Sequence, residues 1–333
     1  MSKIALFATL ALTLLASCNS SGKREPSAEE KKRLLEIHIE SAQQYLNMGD
    51  LDRAEGQVEK GMAIEKDNRK LELILGLTLL KRGRAEDLMR AEKVFKEADL
   101  DDFQVQVGLG ATLERLSILH RESAVDIRSG KHLTQAADPE ARATEFERRA
   151  GIYLQDARKR FEKSLEQKPD NVDGLNGLVR VDALLGDDDG SIASAAKLIT
   201  LLRADRKFWD TSLVRPEISA DEEARFRKLS RAQADLEVSL HMHVADLQHK
   251  HDRDEQAVAE LDSVIEIKPD FADAYSRRAQ SRMSLGQYQL AQADIDTFLR
   301  LASATKGSGD PDIMRAYQLR TDCMIKAREV GAR

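Results

Sequence analysis

Residues 272–303 read ADAYSRRAQSRMSLGQYQLAQADIDTFLRLAS. Tyr275 and Ala279 stand four apart on one side of Gly286. On the other side Tyr288, Ala291, Ile295 and Leu299 recur every three or four residues, the period of one helix face. Gly286 falls where a chain must leave one helix and turn back into the next. Small Ala279 and Ala291 let two helices close together, and Tyr275, Tyr288, Ile295 and Leu299 fill the space between them. The spacing predicts two amphipathic helices joined by a Gly turn.

Working outward, the pattern recurs. Ala257, Leu261, Val264-Ile265 and Lys268-Pro269-Asp270 repeat the second helix and end it at a proline, which cannot continue a helix and biases Lys268 out of it. The same ending stands about 100 residues earlier as Ala157, Phe161, Ser164-Leu165 and Lys168-Pro169-Asp170. Weaker copies follow Ala42, Tyr45, Gly49, Ala54 and Val58; Gly76, Leu79, Gly83, Ala91 and Phe95; and Leu175, Leu178, Gly186, Ala195 and Leu198.

A period near 34 residues with this helix–turn–helix grammar resembles the tetratricopeptide repeat (TPR). The resemblance covers most of Leu34–Ser303. The expected fold is all-α: a TPR-type solenoid of about six helix pairs with two insertions, closed by a capping helix. One insertion is His120–Thr144. The other, residues 203–220, is expected to be a loop holding the single Trp209 and Pro216. Ser219-x-x-Glu222 predicts the start of a long helix to about Lys250, and Asp310-Pro311 the start of the last helix. One pair cannot bury its apolar side alone, so stacked neighbours form the core and a final helix covers the open end. Expected segments are an N-terminal array over 27–202, the loop, and a C-terminal array with its cap over 221–333.

Composition agrees. The 333 residues include only 18 Gly and 6 Pro, with 33% charged and 5% aromatic residues, a helix-former's mixture. The 41% hydrophobic share is too high for wholesale disorder. A net charge of −6 argues against a nucleic-acid partner, which asks for a basic footprint.

The N-terminus supplies an address. Lys3 precedes thirteen uncharged residues, Ile4–Ala16, too short to span a bilayer well but matched to a secretory apolar segment. Leu15-Ala16-Ser17-Cys18 then resembles the bacterial lipoprotein signal. That resemblance implies a signal peptide over 1–17, acylation of Cys18 and a lipid-anchored tether over 18–26. Asn19 implies sorting to the outer membrane, facing the periplasm. Cys323, in an apolar-periodic stretch, reads as a buried small residue.

No nucleophile–base motif, P-loop, His-Glu-x-x-His or Cys-x-x-Cys occurs, so neither an enzyme nor a cofactor is expected. His241, His243, His249 and His251 cluster in sequence, but residues two apart on a helix point about 200° apart, so no metal site is expected. Gly108-Leu109-Gly110 reads as close helix packing. The TPR resemblance implies a concave groove lined by the first helix of each pair. By register, Asn176, Arg180, Met242, Asp246, Ser276, Arg277 and Gln280 face it, with Asn176 and Arg180 one turn apart as holders of a peptide carboxylate. Trp209, in its loop, is the competing anchor. Lipoproteins of this build resemble pilus pilotins, outer-membrane assembly factors and adaptors for cell-wall hydrolases. The expected function is therefore a membrane-tethered scaffold binding envelope proteins or peptides. The alternative is a metal- or glycan-binding lipoprotein using the His241–His251 cluster or the Trp209 loop.

Overall fold

The structure, a computed structural model, describes residues 26–131, 138–215, 217–304, 307 and 309–331. The expected signal peptide and Cys18 lie outside the described residues, as does the expected tether apart from Pro26. Among the described residues there are thirteen helices and no strand. They pair as the repeat grammar requires, so the all-α, TPR-type reading holds. The described residues divide into two compact units, which part between Asp99 and Leu100. The expected border at 203–220 is not where the units part.

The first unit holds two pairs: α1 (Ala28–Met48) with α2 (Leu51–Met62), and α3 (Arg69–Arg82) with α4 (Ala85–Glu97). Ser27 starts α1 with a reciprocal capping box to Glu30, and Asn68 caps α3 by accepting from Lys70 and Leu71. Ala42, Leu46, Ala54, Val58, Leu71 and Ile74 make its core. Arg82 ties α3 to α2 by donating to Glu55 (2.7 Å) and Asp52 (2.9 Å).

The second unit holds four pairs and a closing helix. α5 (Phe103–Arg128) pairs with α6 (Pro139–Gln167), and α7 (Val172–Leu185) with α8 (Asp188–Leu213). α9 (Ala220–Lys250) pairs with α10 (Asp254–Ile267), and α11 (Ala272–Ser284) with α12 (Tyr288–Ala302). α13 (Pro311–Gly331) closes the unit, burying Ile313, Ala316 and Cys323 against Ile295, Phe298 and Leu299 of α12. Gly286, at φ 73°, makes the expected reversal, a left-handed conformation that glycine adopts without Cβ strain. Phe161 is 1% exposed because three helices meet on its ring: a Cβ on Gly177 of α7 would lie 2.4 Å from it, and one on Gly110 of α5 at 3.0 Å. Gly110 is thus a point of close helix packing, as its sequence suggests.

The insertion at 120–144 is mostly helix among its described residues. α5 runs on to Arg128 and α6 begins at Pro139, with Ala124, Ile127 and Ala143 packed around Phe146. The insertion at 203–220, expected as a loop, is none up to Leu213, because α8 continues through it. Residues 203–213 contain no Gly or Pro to break the helix, and Trp209 packs on Phe226 of α9 (centroids 5.2 Å apart). Pro216 lies outside the described residues.

Candidate functional site

α11 builds the site. Asp273, Ser276, Arg277 and Gln280 recur at three- and four-residue steps and so share a helix face. The opposite side of the same helix is fixed: Arg278 donates to Asp294 (2.6 and 3.0 Å) and Asp262 (2.5 Å), and Arg282 to Asp294 (2.7 Å). With Asp294 almost wholly buried, this network holds α11 in one rotation and aims the free face outward.

That face lines a cleft of about 330 Å³. Asp246 of α9 forms one wall, Asp312, Arg315, Ala316 and Leu319 of α13 the other, and Phe298 lies between them. Arg277 is ion-paired with Asp246, and both remain about half exposed. Arg315 lies 3.9 Å from Asp312. Asp273, Ser276 and Gln280 make no side-chain hydrogen bond within the described residues, leaving a carboxylate, a hydroxyl and an amide open in the cleft. The cleft is equipped to hold a polar, extended ligand against a small apolar floor.

The sequence-derived site residues separate into three groups. Asp246, Ser276, Arg277 and Gln280 meet in this cleft. Asn176 and Arg180 lie elsewhere on α7, and the fork of Arg180 is taken by Glu114 of α5, at 2.6 and 2.7 Å. Those bonds raise the guanidinium's pKa further above its ordinary value. The carboxylate that this clamp would hold is supplied by the chain itself. Met242 is a correction: it is 8% exposed, in the core with Val238, Ala245, Ala257 and Leu261. α9 is flanked by both α8 and α10, so a position expected to face the groove is covered.

Trp209 is a second correction, helical and half buried. Phe208 packs edge-on against it at 4.9 Å and Phe226 lies at 5.2 Å, leaving little open ring face for a sugar. The histidines point apart, as their spacing requires. His241 is buried between Glu260 and Arg203, whose guanidinium donates to Nε2 (3.0 Å). His243 meets Ser191 (2.9 Å), whose hydroxyl donates to the Val179 carbonyl, and burial lowers the imidazole's pKa. His249 meets Asp254 (2.5 Å) and His251 meets Asp188 (2.8 Å). No group of three metal-ligating side chains forms among the described residues.

Sequence reasoning missed Asp273, Phe298, Asp312 and Arg315. Asp273 was within reach, one step before Ser276 on the same helical face. The α13 residues were not, because a helix expected only as a cover carries no signal that its edge also lines a cleft.

No family model and no curated protein matches this chain. Solved structures resemble it at low identity. A thermophilic TPR protein of Thermus thermophilus, TTC0263, is 16% identical with a TM-score of 0.42, covering 76% of this chain and 99% of that one. A tetratricopeptide repeat protein from Parabacteroides merdae is 15% identical with a TM-score of 0.36, covering 87% and 99%. Nro1, a hypoxic regulator of sterol synthesis described as a nuclear import adaptor, is 14% identical with a TM-score of 0.44, covering 88% and 93%. The fold assignment stands on the chain's own helix pairs, and these likenesses add nothing about a partner.

Proposed function

We propose that this protein is a non-enzymatic scaffold, tethered to the outer membrane through acylated Cys18, that holds an envelope protein or peptide in the cleft on α11. One observation carries the binding half of this reading: four residues assigned to the groove by helical register line one cleft, with three polar side chains open beside an apolar floor. A peptide backbone has the alternating donors and acceptors that Asp273, Ser276 and Gln280 complement, and a basic side chain suits Asp273. The lipoprotein-like Leu15–Cys18 run supports the tether.

The test is affinity capture from the native envelope with wild type and with Arg277→Ala/Gln280→Ala. Loss of a well-packed contact of this kind costs about 2 kcal/mol, roughly thirtyfold in affinity. Weakened capture with an unchanged melting temperature is expected, and undiminished capture by the variant overturns the cleft. For the tether, Cys18→Ala is expected to abolish palmitate labelling and free the protein from the membrane fraction. Continued labelling overturns the anchor.

A further inference from the structure

α13 closes the array with one side packed on α12, where Ile313, Ala316 and Cys323 are buried. Its outer side is apolar. Met314 is 60% exposed, Tyr317 52%, Met324 38% and Ile325 51%. Thr321 is exposed among them, and its hydroxyl donates to the Tyr317 carbonyl at 3.0 Å, so it leaves no polar hydrogen in need of a partner. A terminal helix in a repeat array ordinarily carries a polar outer face, because no neighbour stacks on it. α1, the first helix, does so: its exposed positions from Glu29 to Asn47 are all charged or amide side chains. The last helix is built differently.

Met314, Tyr317, Thr321 and Met324 stand three, four and three residues apart, a seam that recurs every 3.5 residues and fits the side of a second helix. Asp310 precedes the seam by four residues and Arg328 follows it by four. At 100° per residue all six fall within about 80° of arc. Arg328 is exposed and makes no side-chain hydrogen bond or ion pair within the described residues. Asp310 caps α13, accepting from the Asp312 amide at 2.9 Å. The strip thus runs from a carboxylate, through four uncharged side chains, to a guanidinium. Turned end for end, it is its own complement.

We propose that this strip is a self-association surface, on which α13 of a second copy of this chain packs antiparallel about a two-fold axis near Leu319. In that register Met314 faces Met324 of the other copy, Tyr317 faces Thr321 and Arg328 faces Asp310. Each contact occurs twice, as a two-fold interface requires. A parallel pair would set Arg328 on Arg328 and Asp310 on Asp310, so the charges select the antiparallel arrangement. A groove for a foreign helix needs no such symmetry. A lipid surface needs none either, and the exposed charges beside the strip are mixed, Arg315 and Lys326 with Glu329. Asp312, Ala316 and Leu319, which line the cleft, lie about 140–180° around the helix from the strip, so pairing leaves both clefts open. The strip is about 27 Å long and one helix wide, which places it among the small interfaces, below about 1,200 Å² in total, that associate weakly.

Sedimentation equilibrium of the full chain in a nonionic detergent tests the pairing, from about 1 to about 200 μM, the range in which a weak interface fills. Wild type is expected to pass from monomer to dimer across it. Met314→Lys alone and Met324→Glu alone are each expected to weaken the dimer more than tenfold, because each sets an unpaired charge in the seam. Mixed in equal amounts, the two variants are expected to dimerise again. The antiparallel register sets the introduced lysine against the introduced glutamate at one end and leaves Met324 against Met314 at the other. Only folded variants can rescue each other, so the mixture separates lost pairing from lost folding. Met89→Glu, at a 55% exposed methionine of α4, is expected to leave the dimer unchanged. A wild type that stays monomeric, a dimer that survives Met314→Lys, or a mixture that stays monomeric overturns the proposal. So does a monomeric wild type that captures another protein or a vesicle through the strip. The readout is mass alone, so it is independent of what the cleft binds and of the tether.

Discussion

Arg180 shows how a residue chosen for binding can be spent on structure. Its guanidinium donates twice to Glu114, whose carboxylate is only 7% exposed. Removing one partner of such a pair leaves a buried charge without compensation, which costs more than the pair contributes. Arg180→Ala is therefore expected to destabilise the second unit by about 2 kcal/mol, discounted because the arginine itself is half exposed. Partner capture should be unchanged; the readouts are a melting curve and the same affinity assay. Arg277 is the contrast, since its exposed pair with Asp246 should matter little to stability. A second residue-scale effect lies at Asp182. Burial pushes its carboxyl up to about 6, although Arg158 Nε is 3.1 Å away, because Oδ1 accepts no hydrogen bond. The folded chain then binds an extra proton between about pH 4 and pH 6, so Asp182 subtracts stability as pH rises through that window and not above it. Asp182→Asn lacks this term. From pH 4 to pH 7 its stability relative to wild type should improve by about 2 kcal/mol, at 1.36 kcal/mol per pKa unit over the part of the shift that this range spans. A constant difference across that range would contradict the burial argument.

Helix pairs are the unit in which this chain stores stability, and glycine substitutions separate packing from propensity within them. Gly177 of α7 has Phe161 where a Cβ would stand, at 2.4 Å, whereas Gly56 of α2 has nothing within 4 Å. Gly177→Ala is expected to lower stability by about 1–3 kcal/mol through overpacking. Gly56→Ala should raise it by about 0.5–1 kcal/mol, because alanine is the better helix former. Denaturant midpoints measure both, and opposite signs are the expected result. The helix pairs themselves were legible in the sequence, because small and bulky residues recur at fixed places around each turn. Helix length was less so. Ala204–Leu213 reads as an insertion only because it falls outside the repeat period, and Pro216 invites a loop; nothing local stops the helix. Met242 misled for a related reason. Register fixes which way a side chain points, but what covers it depends on the helices on either side.

At the scale of the whole molecule, the sequence carried the repeat count, the closing helix and four of the residues that line the cleft. Asp246, Ser276, Arg277 and Gln280 were found by periodicity, and the cleft that unites them needed α13, whose edge brings Asp312 and Arg315. The border at 99/100 left no mark, since Ala98–Asp102 contains neither Gly nor Pro. The account's central claim is that the cleft on α11 is the recognition face. Photo-crosslinking in the native envelope tests it most directly, with the crosslinking amino acid placed at Gln280 in the cleft and at exposed Gln256 on α10, in separate otherwise unaltered proteins. The account predicts one recurrent protein partner crosslinked from Gln280 and not from Gln256. Crosslinks from Gln256 alone, or equal capture from both positions, would contradict it.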